Sequence, residues 1–268
     1  MFRNIKDLQS KTTAMNNDSA LDSIDSQQQT PNKPDRDSLE EFTSTMVHDL
    51  QAPLRSLTMF TELLAKEYQD NLDEKGRLYL DRISHNGSRM QTLIEDLLTY
   101  SRAGVSEQTW MMVNLNYILE RVQSDLQSAI AKSEAKIVVN ELPQVFLNPR
   151  EIHQVFQNLI ENAIKFNNDK PLITVSVSPH QQEWLFAVED NGIGIESEFQ
   201  SQIFDVFQRL HSADDYPGSG MGLAICQKII QRYEGIMWVE SEVGRGSTFY
   251  FTLPMTPSPQ SATAKAVQ

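Results

Sequence analysis

Between residues 38 and 102 the apolar positions recur with a helical period. Leu80, Ile83, Gly87, Met90, Ile94 and Leu97 follow a strict 3-4-3-4-3 spacing, the a/d seam of a coiled-coil-like bundle. Upstream, Leu39, Phe42, Met46, Leu50, Pro53, Leu57, Phe60 and Leu64 form a similar stripe. Ser38 followed by Glu41 has the form of a capping box and predicts where the first helix starts. The link near Asp70–Lys75 is short and polar, so the two helices should fold back antiparallel. A lone hairpin cannot bury a stripe on each helix well, and pairing two hairpins into a dimeric four-helix bundle relieves this. A plain structural coiled coil has the same period.

From residue 109 the pattern changes. Short β-rich runs (Met111–Leu115, Lys136–Val139, Leu172–Val177, Trp184–Glu189, Ile236–Glu240, Thr248–Leu253) alternate with helical stretches near Tyr117–Ser133, Arg150–Phe166 and Gly222–Tyr233. Asn148-Pro149-Arg150-Glu151 is a helix start, with Asn at the cap and Pro at the first position. This order predicts an α/β sandwich with a mixed sheet, an α+β chain overall. The expected division is a polar disordered tail over residues 1–37, the helical domain over 38–103, the α/β domain over 104–255 and a second tail over 256–268. Thr99–Thr109 would be the hinge between the two domains.

Composition narrows the possible partners. The chain has 268 residues, 40% of them hydrophobic, and a formal net charge of -13, so nucleic acid and anionic membrane surfaces would repel it. One cysteine, Cys226, excludes an intrachain disulfide or a Cys-based zinc site and reads as a small core residue. No apolar run approaches the ~20 residues of a membrane span, and a reducing cytoplasm is the expected location.

Four clusters carry candidate chemistry. His48 falls roughly 190° around the helix from the mean direction of Met46, Leu50, Pro53 and Leu57, so it should face solvent. Asp49 is placed to accept the Nδ1 proton and leave Nε2 as a nucleophile. Pro53 should loosen the helix one turn later. An exposed His-Asp pair is also an ordinary solvated face. Asn158, Asn162 and Lys165/Phe166, at i, i+4 and i+7/i+8, share one helix face beside an apolar one. Amides and an ammonium suit a ligand bearing phosphates and Mg²⁺, and an amphipathic helix has the same look. Asp190-Asn191-Gly192-Ile193-Gly194 closes a strand, allowing a tight turn and an acceptor for an exocyclic amine, although Asp-Asn-Gly is also a plain turn signal. Gly218, Gly220 and Gly222 open a helix, as a phosphate cradle does. Before them, Phe204 and Phe207 precede the polar segment His211–Pro217, which reads as a lid.

Taken together and in this order, the clusters resemble those of the sensor histidine kinases of two-component systems, over about residues 40–254. His48-Asp49-Leu-Gln-Ala-Pro53-Leu54 looks like the phospho-acceptor box, and its wording is closest to that of phytochrome-like kinases. Asn158–Phe166, Asp190–Gly194, Phe204–Phe207 and Gly218–Gly222 look like the family's N, G1, F and G2 boxes, and Gly246–Phe249, with Thr248, like its closing glycine motif. The resemblance implies a dimerisation and phosphotransfer hairpin followed by an ATP-binding domain of the Bergerat (GHKL) type, shared with Hsp90 and gyrase. It further implies ATP and Mg²⁺ as cofactors, autophosphorylation of His48 and relay to a response regulator receiver domain. By motif position, Asn162 binds Mg²⁺, Asn158 belongs to the catalytic row and Lys165 lies near the phosphates. Phe166 flanks the adenine, Asp190 binds its amine, and Gly192, Gly194, Gly218, Gly220 and Gly222 shape pocket and lid.

Two departures stand out. Ala52, which has no polar group, occupies the position where the family often carries a polar residue that orients water against the partner's phosphoaspartate, which puts phosphatase activity in doubt. Residues 1–37 are too short for a sensory domain. Input then comes from a separate sensor protein, from a partner of the tail, or from the rest of a longer product. Two other readings stay open: a binding module with the pocket as a switch, and another ATPase of the same fold.

Overall fold

The computed structural model describes residues 33–68, 71–102, 110–210, 216 and 218–255, with only the helical backbone described at 33–46, 48, 49 and 102. The readings of residues 1–32 and 256–268 as disordered tails, and of 211–215 and 217 as part of a lid, lie outside the described residues.

Two long helices come first, α1 (Lys33–Tyr68) and α2 (Glu74–Arg102). Helix α1 starts at Lys33, so Ser38 sits inside the helix and not at its cap. Pro34 accounts for the earlier start, because proline is tolerated in a first turn where its missing N–H has no intrahelical partner. The helix continues through Pro53. Beyond it, Ser56, Thr58 and Thr61 hydrogen bond back to the carbonyls of Ala52, Leu54 and Leu57 at 3.2, 3.1 and 2.7 Å.

The hairpin does not pack on the stripe expected for α1. Among its described side chains, Val47, Leu54, Thr58 and Thr61 are buried, and Val47 and Leu54 form a small core with Ile94. A Cβ added at Gly87 of α2 would lie 3.2 Å from Thr58 Oγ1, so the helices approach closely there. Leu50, Leu57, Phe60 and Leu64 are instead 46–59% exposed, as are Ile83 and Met90 on α2 at 47% and 52%. Each helix has two apolar faces, and one chain covers only one of them.

The second region holds β1 (Met111–Asn114), α3 (Leu115–Asp125), α4 (Gln127–Ser133), β2 (Lys136–Val139), β3 (Gln144–Leu147), α5 (Pro149–Lys165), β4 (Leu172–His180), β5 (Glu183–Asp190), a 3-10 turn (Gln202–Phe204), α6 (Gly222–Arg232), β6 (Met237–Glu242) and β7 (Gly246–Pro254). Five strands form one sheet in the order β2-β4-β5-β7-β6, with β2 parallel to β4 and the other pairs antiparallel. β1 and β3 make a separate antiparallel ribbon. Helices α3, α5 and α6 cover one face of the sheet, and the core between the layers contains Phe156, Phe186 and Phe251, all fully buried.

Local sequence explains these elements. Asn148 Oδ1 accepts from the Arg150 N–H at 2.8 Å, capping α5 as expected, with Pro149 in its first turn. Glu151 turns inward, paired with Arg232 and accepting from the Tyr233 hydroxyl at 2.5 Å. The single helix expected over Tyr117–Ser133 is two, because Leu126, at φ -92 and ψ 8, interrupts it. The expected hinge is helical up to Arg102; its remainder at 103–109 lies outside the described residues. Leu97 and Tyr100 pack against the sandwich core, so the end of α2 is docked on the second region.

Candidate functional site

A cavity of about 350 Å³ opens between α5, the loop after β5 and the loop leading into α6. Its size falls in the range of small-molecule sites. Of the residues singled out in the sequence, Asn158, Asn162, Lys165, Phe166, Asp190, Gly194, Gly218, Gly220 and Gly222 line it. The α5 residues reach it together because i, i+4 and i+7 share a helix face.

Asn158 is fixed on three sides. Its Oδ1 accepts from Gln154 Nε2 at 3.0 Å, and its Nδ2 donates to the Gly222 carbonyl at 3.0 Å and to Cys226 Sγ at 3.6 Å. This ties α5 to the first turn of α6. Cys226 is fully buried in the core, and burial pushes its thiol up to about 12.

Asp190 Oδ1 accepts from the backbone N–H groups of Gly192 at 2.8 Å and Ser247 at 3.2 Å. Burial raises the carboxyl above its ordinary range, and those two N–H groups oppose the rise. Lys165 is pulled below the usual lysine range, first by burial and then by the nearby Arg209 guanidinium, with Glu161 opposing. Its ammonium sits 4.4 Å from the Phe166 ring centroid. A Cβ at Gly218, where φ is +148, would come within 2.9 Å of the same ammonium. Arg209 donates to the carbonyls of Gly218 at 2.8 Å and Tyr216 at 2.7 Å, and the Tyr216 ring lies 4.9 Å from that of Phe166.

The structure keeps four expected residues off the cavity wall. Gly192 stands behind it: a Cβ there would lie 2.4 Å from the Phe166 carbonyl oxygen, so only glycine allows the strand-end loop to approach α5 this closely. Phe204 is buried in the core, while Phe207 is 52% exposed with a positive φ of 65°. Thr248 lies on the outer face of β7, beside Glu189, and Ser247 one residue earlier lines the cavity. The alternation of Phe249, Phe251 and Leu253 inward carries the signal that Ser247 also points in.

Sequence reasoning also missed Gln154, Ser219 and Arg209, and two residues of the hairpin, Thr92 and Asp96; Tyr216 falls within the segment read as a lid. Asp96 is raised by burial, opposed by a hydrogen bond from the Ser219 hydroxyl. Asn191 staples the wall, donating to the Lys170 carbonyl at 3.2 Å and accepting from the Leu172 N–H at 2.8 Å. His48 and Asp49 lie on α1, and the outward direction expected of their side chains lies outside the described residues.

A helical hairpin leading into an α/β sandwich, with amides, a lysine and a half-buried carboxyl converging on one glycine-edged cavity, defines a nucleotide-binding class of domain. Residues 147–257 match the family described as histidine kinase-, DNA gyrase B-, and HSP90-like ATPase, and residues 38–105 match the His Kinase A (phospho-acceptor) domain. The chain belongs to the sensor histidine kinases. Over 218 residues it is 42% identical to cyanobacterial phytochrome A of Nostoc sp. (strain PCC 7120 / SAG 25.82 / UTEX 2576), covering 81% of this chain and 28% of that protein. The chain thus spans less than a third of the phytochromes it matches. Full-length ShkA, solved in complex with AMPPNP, aligns with a TM-score of 0.64 at 23% identity, over 82% of this chain and 46% of that one. ThkA, solved in complex with the response regulator protein TrrA, aligns with a TM-score of 0.57 at 23% identity, over 87% and 69%. At that identity both likenesses concern the fold.

Among the described residues, no helix is long and apolar enough to cross a membrane.

Proposed function

We propose that the chain binds Mg-ATP in this cavity, phosphorylates its own His48, and passes the phosphoryl group to an aspartate of a response regulator receiver domain. The observation that carries the reading is the convergence of Asn158, Asn162, Lys165 and Asp190 on one cavity, in a chain whose hairpin matches a phospho-acceptor domain. The residues fit such a ligand. The cavity volume suits it, the glycine loop leaves backbone room, and the wall offers an amide oxygen, an ammonium and a half-buried carboxyl.

In this reading the Asp190 carboxylate accepts from the adenine amine and Phe166 offers a ring face to the base. Lys165 and the loop of Gly218, Gly220 and Gly222 hold phosphate oxygens. Asn162 supplies an oxygen ligand to Mg²⁺, which neutralises charge on the phosphates. Asn158 keeps the first turn of α6 registered on α5. Gly192, Gly194, Phe204, Phe207 and Thr248 shape the wall from behind or beside it.

His48 attacks through Nε2 while its Nδ1 proton passes to Asp49. A nitrogen–phosphorus bond forms, the bond between γ-phosphorus and the bridging oxygen breaks, and ADP leaves. Positioning and charge neutralisation supply most of the acceleration in such a transfer. In the relay, a receiver carboxylate takes the phosphoryl group and the nitrogen–phosphorus bond breaks. That a ThkA complex with a response regulator shares this fold supports the class of partner.

The open stripe of Leu50, Leu57, Phe60 and Leu64 supports a homodimer through the hairpin. The functional division runs as residues 38–103 and 104–255, in a cytoplasmic setting, with input from a separate sensor protein or from a preceding part of a longer chain. Incubation with γ-labelled ATP should leave label that survives alkali and is lost in mild acid. Absence of label on the wild type, or equal label on His48→Gln, would defeat the proposal.

A further inference from the structure

Helix α2 contributes more than a dimer seam. Thr92, Asp96 and Tyr100 stand at i, i+4 and i+8, so they share one face, and that face meets the sandwich at the nucleotide cavity. Thr92 and Asp96 line the cavity itself. Ser219 of the glycine-rich loop lines the same cavity as Asp96, and the Ser219 hydroxyl oxygen accepts from the Met221 N–H at 3.2 Å at the threshold of α6. One turn on, Lys228 of α6 donates to the Tyr100 carbonyl at 2.5 Å and lies 4.4 Å from the centroid of the Tyr100 ring. It also reaches the Ser101 carbonyl at 3.4 Å. A helix ends with carbonyls that lack intrahelical partners, and Lys228 satisfies two of them on α2.

These contacts place a carboxylate at the glycine-rich loop, beside the N-terminal end of α6, where the backbone favours an anion. A triphosphate held by the same loop would meet that carboxylate as a like charge in a half-buried setting, where repulsion is poorly screened.

We propose that the Thr92–Asp96–Tyr100 face is a latch that holds the hairpin against the nucleotide cavity, and that the phosphates of the incoming nucleotide displace it. The inference rests on the reading of the cavity as an ATP site. Because coupling is reciprocal, nucleotide loosens the hairpin, and any signal that pulls α2 away tightens nucleotide binding. An upstream input therefore has a route to the ATP site that needs no contact with the nucleotide.

The test uses the full chain and calorimetric titration with Mg-ATP and, separately, with adenosine. Asp96→Asn keeps the shape but removes the charge. It should bind Mg-ATP on the order of tenfold tighter than wild type, with adenosine affinity unchanged. Lys228→Met, at the other anchor, should raise amide hydrogen exchange across residues 92–101 without nucleotide, and Mg-ATP should raise it in the wild type. Equal or weaker Mg-ATP binding by Asp96→Asn overturns the latch, as does wild-type exchange at 92–101 that stays level or falls when Mg-ATP is added. A wild type that binds neither ligand overturns the ATP reading as well, which separates the two failures.

Discussion

The hairpin and the sandwich bury their apolar residues in different ways. The sandwich closes its core within one chain: Phe156, Phe186 and Phe251 meet at centroid distances of 4.9–6.2 Å with no exposure to solvent. Among the described residues the hairpin has a core of Val47, Leu54 and Ile94, with Leu97 and Leu98 beside it, and leaves a second stripe open. A two-layer sandwich encloses a volume between its layers. Two helices meet only along a line, so half of each amphipathic surface needs another partner. The part with a complete core builds most of the cavity wall, and the part without one carries His48, adds Thr92 and Asp96 to that wall, and holds the faces through which it can associate and dock.

The largest effect should come from closing off the second stripe. Leu57→Glu with Phe60→Glu puts two carboxylates on positions that are 46% and 59% exposed in the single chain. Each apolar side chain removed from an interface forfeits about 1.5–3 kcal/mol. Dimerisation should weaken by at least about a hundredfold in sedimentation equilibrium, with the melting of the sandwich unchanged. A dimer that survives would break the contrast, because the open stripe would then not be the association surface.

Phe251→Ala attacks the other side of the comparison. It empties a fully buried ring site and should cost about 3–5 kcal/mol of sandwich stability, read by urea unfolding. Cys226 alkylation gives an independent report, since its buried thiol, pushed up to about 12, should react only when the sandwich opens. Helicity of the hairpin should outlast the loss if the two regions are separate in stability. A single transition would show that docking through Asp96 and Lys228 joins them.

Asn148→Ala removes the cap of α5 and should cost about 1 kcal/mol, measured the same way and confined to the sandwich transition. The smallest effect is a pH slope. Burial holds the Asp190 carboxyl above 3.8, so the native state keeps a proton that the unfolded chain has released. Stability from this group is full below 3.8 and is lost as pH rises through the folded value. Stability curves of Asp190→Asn should lack that part of the fall.

The helices were legible as far as their period reached. The 3-4 spacing of α2 and the Asn148-Pro149 start of α5 are local signals, and the structure has both helices. The strand β3 was not: it is as long as β1 and β2, but Pro143 before it and Asn148-Pro149 after it read as turn and helix-start signals. On α1, Val47 and Leu54 are as apolar as Leu50 and Leu57, so the period could not choose which stripe faces α2. Gly87 and Thr58 decide it by allowing close approach. At the cavity, the α5 triad and Asp190 could be read from motif and spacing, whereas Thr248 was chosen over Ser247 although the inward phenylalanines of β7 point to the latter.

Periodicity, caps and glycine positions are written within a few residues of one another, and so the sequence alone determined the two-region plan, the presence of the long helices and much of the cavity wall. The meeting of Asp96 with Ser219, of Lys228 with Tyr100, and the choice between two apolar faces on α1 depend on groups far apart in the chain. Only the packed structure decided those, because burial and charge act through space and no local spacing records which surfaces will come together.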